Sequence, residues 1–405
     1  MQQRRVIGAL LCAVWCSAGA AAQTSALGMA VRVDATLQAG RQQTRYFNAL
    51  SGAQSVVDSV EARINLHGQC VEQWCDGASF VLRPRLYAAA ERSVPAGISS
   101  RPSNLPEAYV LQSAGESMQF GLGKRLLGWG PALLYSPSNR LFPDNGAVSP
   151  RTEIAGKPMI FASSPLPLAG RGTLIAADPR EQNLSGSRIG GTFFAARGEW
   201  QQQTNNTSTL GVIAAGGGAL APYFGLYAQR GVTDALTLGF EMAMSRKYAS
   251  STSEAQLSQN RSGMKSDMVA NLRYGLASGG EIGFELIHNG YAMSDSELGN
   301  PLIAALPSAG SNPSWNRPLH PLVQRRYALI QVTSPSLFGN KRWGLTARML
   351  RGLDKPSTDS FAELSWSVTD STTLHAGYSQ SRVPPSLHIT RPVTHSSYLT
   401  LESFF

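Results

Sequence analysis

The chain has 405 residues, with 35 Lys and Arg against 26 Asp and Glu, a formal net charge of +9. Only 15% of its residues are charged, and it holds 40 Gly and 23 Pro, which suits many strands joined by turns better than helices. The arginines are scattered, with no run like a nucleic-acid-binding arm, so no nucleic-acid partner is expected.

In chain order, the first element is an export signal. Arg4 and Arg5 precede an apolar stretch from Val6 to Trp15, and small residues Ala20, Ala21 and Ala22 come before Gln23, the three parts of a secretory signal peptide. Cleavage after Ala22 would leave 383 residues (405 less 22) and lower the net charge from +9 to +7, because two arginines and no acids depart. Cys12 and Cys16 would leave as well. Trp15 is too bulky for the small-residue position before a lipidated cysteine, so lipidation is not expected. No later run reaches the roughly 18 to 20 apolar residues of a membrane-spanning helix. Residues 23–405 are therefore either soluble or cross a membrane as a barrel.

From Gly28 to Gln38 apolar and polar residues alternate, with Met29, Val31, Val33, Ala35 and Leu37 opposite Arg32, Asp34, Thr36 and Gln38. That period of two marks a sheet with two unlike faces. Cys70 and Cys75 follow in the stretch HGQCVEQWCDG. In an oxidising compartment, two cysteines this close, without histidine partners, fit a local disulfide better than a metal site. Alternation returns at Leu236 to Arg246 and at Met268 to Leu276.

Connections alternate between short and long. Tight turns are expected near Gln203–Asn206, Val232–Asp234, Ser278–Gly280, Phe338–Asn340 and Thr369–Asp370, and longer links at Lys247–Lys265, Tyr291–Val323, Arg351–Asp359 and Gln380–Ser396. Short periplasmic turns and long external loops characterise outer-membrane barrels. The last strand, Tyr398 to Phe405, sets Leu399, Leu401 and Phe405 on one face, like the C-terminal strand that barrel-assembly machinery receives. Counting back from it gives an all-β transmembrane antiparallel barrel of about eighteen strands, sixteen if the weak segments near 106 and 158 are dropped, with both termini in the periplasm.

A lumen of that width must be gated or plugged. Residues 126–157, rich in Gly, Pro, Asn and Ser and too long for a turn, start at the external end of a strand. They are expected to fold into the lumen, since their aromatic and apolar side chains would be costly to leave in water.

Gly121-Leu-Gly-Lys-Arg125, Gly128-Trp-Gly-Pro131, Ser136-Pro-Ser-Asn-Arg140 and Pro150-Arg151 together resemble the core segment of the capsule-assembly (Wzi-type) outer-membrane barrels, over about fifty residues from Gln119 to Ser164. The resemblance implies an eighteen-stranded, lectin-like barrel engaged in attaching or exporting surface polysaccharide. Family members usually carry a periplasmic helical segment before the barrel, whereas here the first strand begins within a few residues of Gln23.

Reading a sugar takes flat aromatic faces, amides and guanidinium groups. Trp129, Tyr135, Asn139, Arg140 and Arg151 supply these in one segment, and Arg83, Arg85 and Arg125, with Arg32, Arg63, Arg273 and Arg348, could line the lumen and select anions. Each of those residues could equally pack, or pair with an acid such as Asp34, Glu61 or Glu241. The six histidines are dispersed, and no nucleophile elbow, metal-binding helix motif or phosphate loop is present. No catalysis, cofactor or metal is expected. The expected function is assistance in exporting or retaining an extracellular or capsular polysaccharide, an acidic one given the basic balance, from a barrel seated in outer-membrane lipid. The alternative is a passive porin for small anionic solutes.

Overall fold

The computed structural model describes residues 29–46, 54–70, 75, 77–92, 104–115, 117–142, 154–178, 191–203, 207–218, 220–247, 263–292, 322, 324–383 and 393–405. The signal segment lies outside them, as do residues 143–153 of the expected lumen segment 126–157, Arg151 among them.

Eighteen strands form one closed antiparallel sheet, in which each strand pairs with its sequence neighbours. They are β1 (Met29–Tyr46), β2 (Gln54–Cys70), β3 (Ala78–Arg92), β4 (Asn104–Ala114), β5 (Met118–Arg125), β6 (Lys157–Leu166), β7 (Gly170–Ala177), β8 (Phe193–Gln203) and β9 (Thr207–Gly217). The ring continues through β10 (Leu220–Gly231), β11 (Leu236–Ser245), β12 (Lys265–Gly275), β13 (Glu281–Asn289), β14 (Arg326–Ser334), β15 (Trp343–Gly352), β16 (Ser357–Thr369), β17 (Thr372–Arg382) and β18 (Val393–Phe404).

Closure is made by β1 against β18, in register from Thr36↔Phe404 to Arg45↔His395. Beyond it, Phe405 N donates to Ala35 O at 2.9 Å and Ala35 N donates to Phe405 O at 3.2 Å. A closed ring leaves no row of unpaired amides facing lipid, which is why only barrels cross a bilayer with strands.

The alternation sorts the two faces. Leu122, Ile160, Leu174 and Phe194 point outward and are 60 to 64% exposed. Facing water, each would forfeit about 25 cal/mol for every Å² left uncovered, whereas facing hydrocarbon it loses nothing. Residues one step along the same strands, Phe161, Ile175, Phe193 and Ala195, are buried inside. Aromatics mark the outer band near its short-turn rim, where Trp200, Tyr274 and the stacked pair Trp343 and Trp366, with ring centroids 5.6 Å apart, stand.

One rim carries short connections such as residues 115–117, 167–169, 232–235 and 370–371. The other carries the long ones, including residues 126–156, 246–264 and 290–325, together with the two-residue link 218–219 between β9 and β10. The link between β15 and β16 occupies only residues 353–356, shorter than the expected Arg351–Asp359, because both strands run further than their apolar alternation. The start of β1 and the end of β18 lie on the short-turn rim. On that same rim Cys70 and Cys75 form a disulfide with Cα atoms 5.8 Å apart, closing the turn after β2.

Candidate lumen constriction

Residues 126–142 leave the end of β5 and turn inward, with no regular secondary structure of their own. Such a segment takes its amides into the barrel, where each needs an acceptor. The wall supplies three carboxylates, on consecutive strands.

Glu241 of β11 is the centre of the first anchor. Its Oε1 accepts from Ser138 N at 3.0 Å, Ser138 Oγ at 2.7 Å and the Ser136 hydroxyl, while Oε2 accepts from Ala132 N at 3.4 Å. Glu285 of β13 accepts from the backbone amides of Leu133 and Leu134, the latter at 3.2 Å. Between them Asp267 of β12 accepts from the Tyr135 hydroxyl at 2.9 Å and from Gly290 N at 3.1 Å. Two wall side chains complete the seam: Asn271 Nδ2 donates to Pro131 O at 3.0 Å, and the Tyr223 hydroxyl donates to Ser138 O at 3.0 Å. Glu241, Asp267 and Glu285 have no solvent exposure at all. Donors converging on a buried carboxylate offset the cost of burying it.

The fit is steric too. A Cβ at Gly239 would stand 2.8 Å from Pro131 Cβ, and one at Gly283 would stand 2.5 Å from Leu133 Cδ1. The wall lacks side chains where the segment presses against it. Apolar packing fills the remainder: Trp129, Leu141 and Phe142 join Phe161, Phe193 and Ile213, while Leu134 and Tyr135 join Val269, Ile287 and Leu329. The segment thereby covers inner faces from β6 to β15.

The opposite inner wall, from β16 round to β4, is charged. His375 lies between Glu363 and Glu402, with ring nitrogens 3.3 and 3.2 Å from their oxygens. Gln38 Nε2 donates to Glu402 at 2.7 Å and the Tyr398 hydroxyl donates to Glu363. Further round, Glu61 is paired by both Arg63 and Arg85, and Glu107 is paired by Arg83 at 2.5 Å. Glu107 also accepts from Leu126 N at 2.9 Å, fixing the point where the inward segment departs.

The residues proposed from sequence divide sharply. Trp129, Tyr135, Asn139 and Arg140 are at most 6% exposed, so they are packing and anchoring groups here and present no face to a ligand. Asn139 Nδ2 donates to Leu127 O at 2.8 Å while its Oδ1 accepts from Phe142 N at 3.2 Å, tying the segment to itself. Arg140 lies between the rings of Tyr223 and Tyr291, 4.6 and 5.1 Å from their centroids, and donates to Ser245 Oγ at 2.8 Å. Arg125 stacks on Tyr109 and Phe161 at the segment's base. Arg83 and Arg85 stand on the charged wall, paired with acids. Of the other arginines, Arg32 pairs with Asp34 and Arg273 with Glu281, and Arg348 lies over Phe361. Sequence reasoning did not find Asp267 or Glu285, and it took Glu241 only as a partner for arginine. The available signal was an acid on the inward face of three successive strands, mid-strand at Glu241 and Glu285 and near the long-loop end at Asp267.

No family model matches the chain, and no curated protein matches it in sequence. Solved structures do match. The chain is similar to Pseudomonas aeruginosa OccK11 (OpdR), with a TM-score of 0.58 at 10% identity over 93% of this chain and 96% of that one. Against Acinetobacter baumannii OccAB1 the values are 0.56, 9%, 93% and 96%. Against Pseudomonas aeruginosa OpdK, solved with vanillate, they are 0.52, 10%, 93% and 98%. These are outer-membrane porin structures. At such identity the likeness establishes the eighteen-stranded outer-membrane barrel fold, and with it an outer-membrane location. The neighbours are not capsule-assembly barrels, and lend no support to that resemblance.

Proposed function

We propose that the chain is a constricted outer-membrane porin for small solutes with a preference for anions, and not a polysaccharide exporter. The observation that carries this is the anchored segment 126–142. It narrows an eighteen-stranded lumen from one side, held by Glu241, Asp267 and Glu285, and faces a charged wall. An inward loop against charged side chains sieves by size and by charge, as charged rings do in other pores. Around Glu61 and Glu107 three guanidinium groups, of Arg63, Arg83 and Arg85, meet two carboxylates, a local excess of one positive charge on that part of the wall, while His375 stands between Glu363 and Glu402 on the other part. The aromatics offered for stacking on sugar are consumed by packing, which removes the main physical support for a carbohydrate site. The porin neighbours agree with a channel that performs no chemistry.

Planar-bilayer recording under a salt gradient tests the proposal. Discrete conductance steps are expected, with a reversal potential on the anion side that moves toward zero in Arg85→Gln. A bilayer that stays silent with correctly folded protein, or a cation-selective reversal potential, would sink it.

A further inference from the structure

We propose that the outer wall over β8 to β11 holds one phospholipid of the periplasmic leaflet, a site separate from the lumen that rests on the barrel's place in the membrane and not on the porin reading. A cleft of about 860 Å³ lies there beside the turn between β6 and β7. Registry places two rows of side chains in it. The row nearer mid-membrane is Trp200, Leu210, Ala228 and Phe240, consecutive partners across four strands. Leu210 and Phe240 are outward and exposed, and Ala228, much the smallest of the four, forms the floor between larger walls. Trp200 is held as a side wall by its Nε1, which donates to Pro167 O at 3.2 Å.

The second row, two residues nearer the short-turn rim, is Gln202, Ser208 and Arg230, with Leu238 at its β11 end. An amide, a hydroxyl and a guanidinium thus stand at headgroup depth, directly above an apolar trough. Arg230 is exposed and has no carboxylate partner among the described residues. A cation without an anion at the membrane interface is matched by a phosphate, which arginine binds through paired N–H donors. The order of polar and apolar groups down the wall is that of a phospholipid, with phosphate at Arg230, glycerol esters near Ser208 and Gln202, and acyl chain over Ala228. Tryptophan at this depth belongs to the interfacial belt.

The test is native mass spectrometry of the full, delipidated barrel in detergent, titrated with dimyristoylphosphatidylglycerol, with inorganic phosphate as a parallel titrant. One phospholipid is expected to survive activation that strips detergent, and inorganic phosphate at the same concentration should not displace it. Arg230→Gln should lower the retained fraction about fivefold, and Ala228→Phe, which fills the floor from the outside, should lower it as far. Both variants should keep the heat-modifiable gel mobility of the folded barrel. Equal retention by the parent and both variants would mean ordinary annular lipid and overturn the site. So would a concentration-dependent dimer abolished by Ala228→Phe, which would assign the cleft to a second copy of the chain.

Discussion

Glu241 condenses the logic of the lumen. It has no exposure, sits on the inward face of β11, and gathers donors from Ala132, Ser136 and Ser138. Glu241→Gln keeps the shape but turns one acceptor into a donor that points at other donors. Orphaning a buried donor costs about 1–3 kcal/mol, so the inward segment should loosen while the hydrogen-bonded wall stays intact. Greater open-channel noise and frequent conductance substates are expected in single-channel records. Traces indistinguishable from the parent would show that Glu241 does not hold the constriction. Arg140 shows why residue type alone misleads. Its guanidinium could bind a sugar carboxylate, yet its surroundings make it a peg between Tyr223 and Tyr291.

At the scale of elements, the inward segment and the wall beneath it are one fitted pair. The segment has no helix or strand to satisfy its own amides, so the acids of β11, β12 and β13 do it. Where the two surfaces touch most closely the wall has glycine. Gly283→Leu places a side chain where Leu133 Cδ1 would be 2.5 Å from the new Cβ. It should push the segment toward the charged wall, and conductance should fall with no change in barrel content by circular dichroism. An unchanged conductance would mean the segment is not the narrowing element. An inward course was expected for residues 126–157 from their apolar content and length, and of these the segment 126–142 is described along the inner wall. Their seat was not legible in the sequence, because the acids that hold them lie 103 to 152 residues away in sequence, and single acids within alternating strands look alike until the sheet is closed.

For the whole molecule, closure is the decisive event. β18 is paired on both sides, with β17 and with β1, so a proline away from its ends costs it ladder hydrogen bonds. Leu401→Pro removes a ladder donor between those two neighbours and should abolish the heat-modifiable, detergent-resistant form on gels, whereas Leu401→Val should retain it. A Pro variant that still migrates as a folded barrel would argue against β1–β18 closure. By itself, the amino-acid sequence determined the class of fold and about eighteen strands with their direction, and it raised the expectation that one segment runs inward. Each of these depends on local quantities: a period of two, the length of a connection, the polarity of a stretch. Only the tertiary structure decided which wall the segment lies against, which of its polar groups are spent on holding it, and which arginines face acids. Those outcomes depend on which strands come to face one another across a closed ring, and that geometry exists only once β1 has met β18.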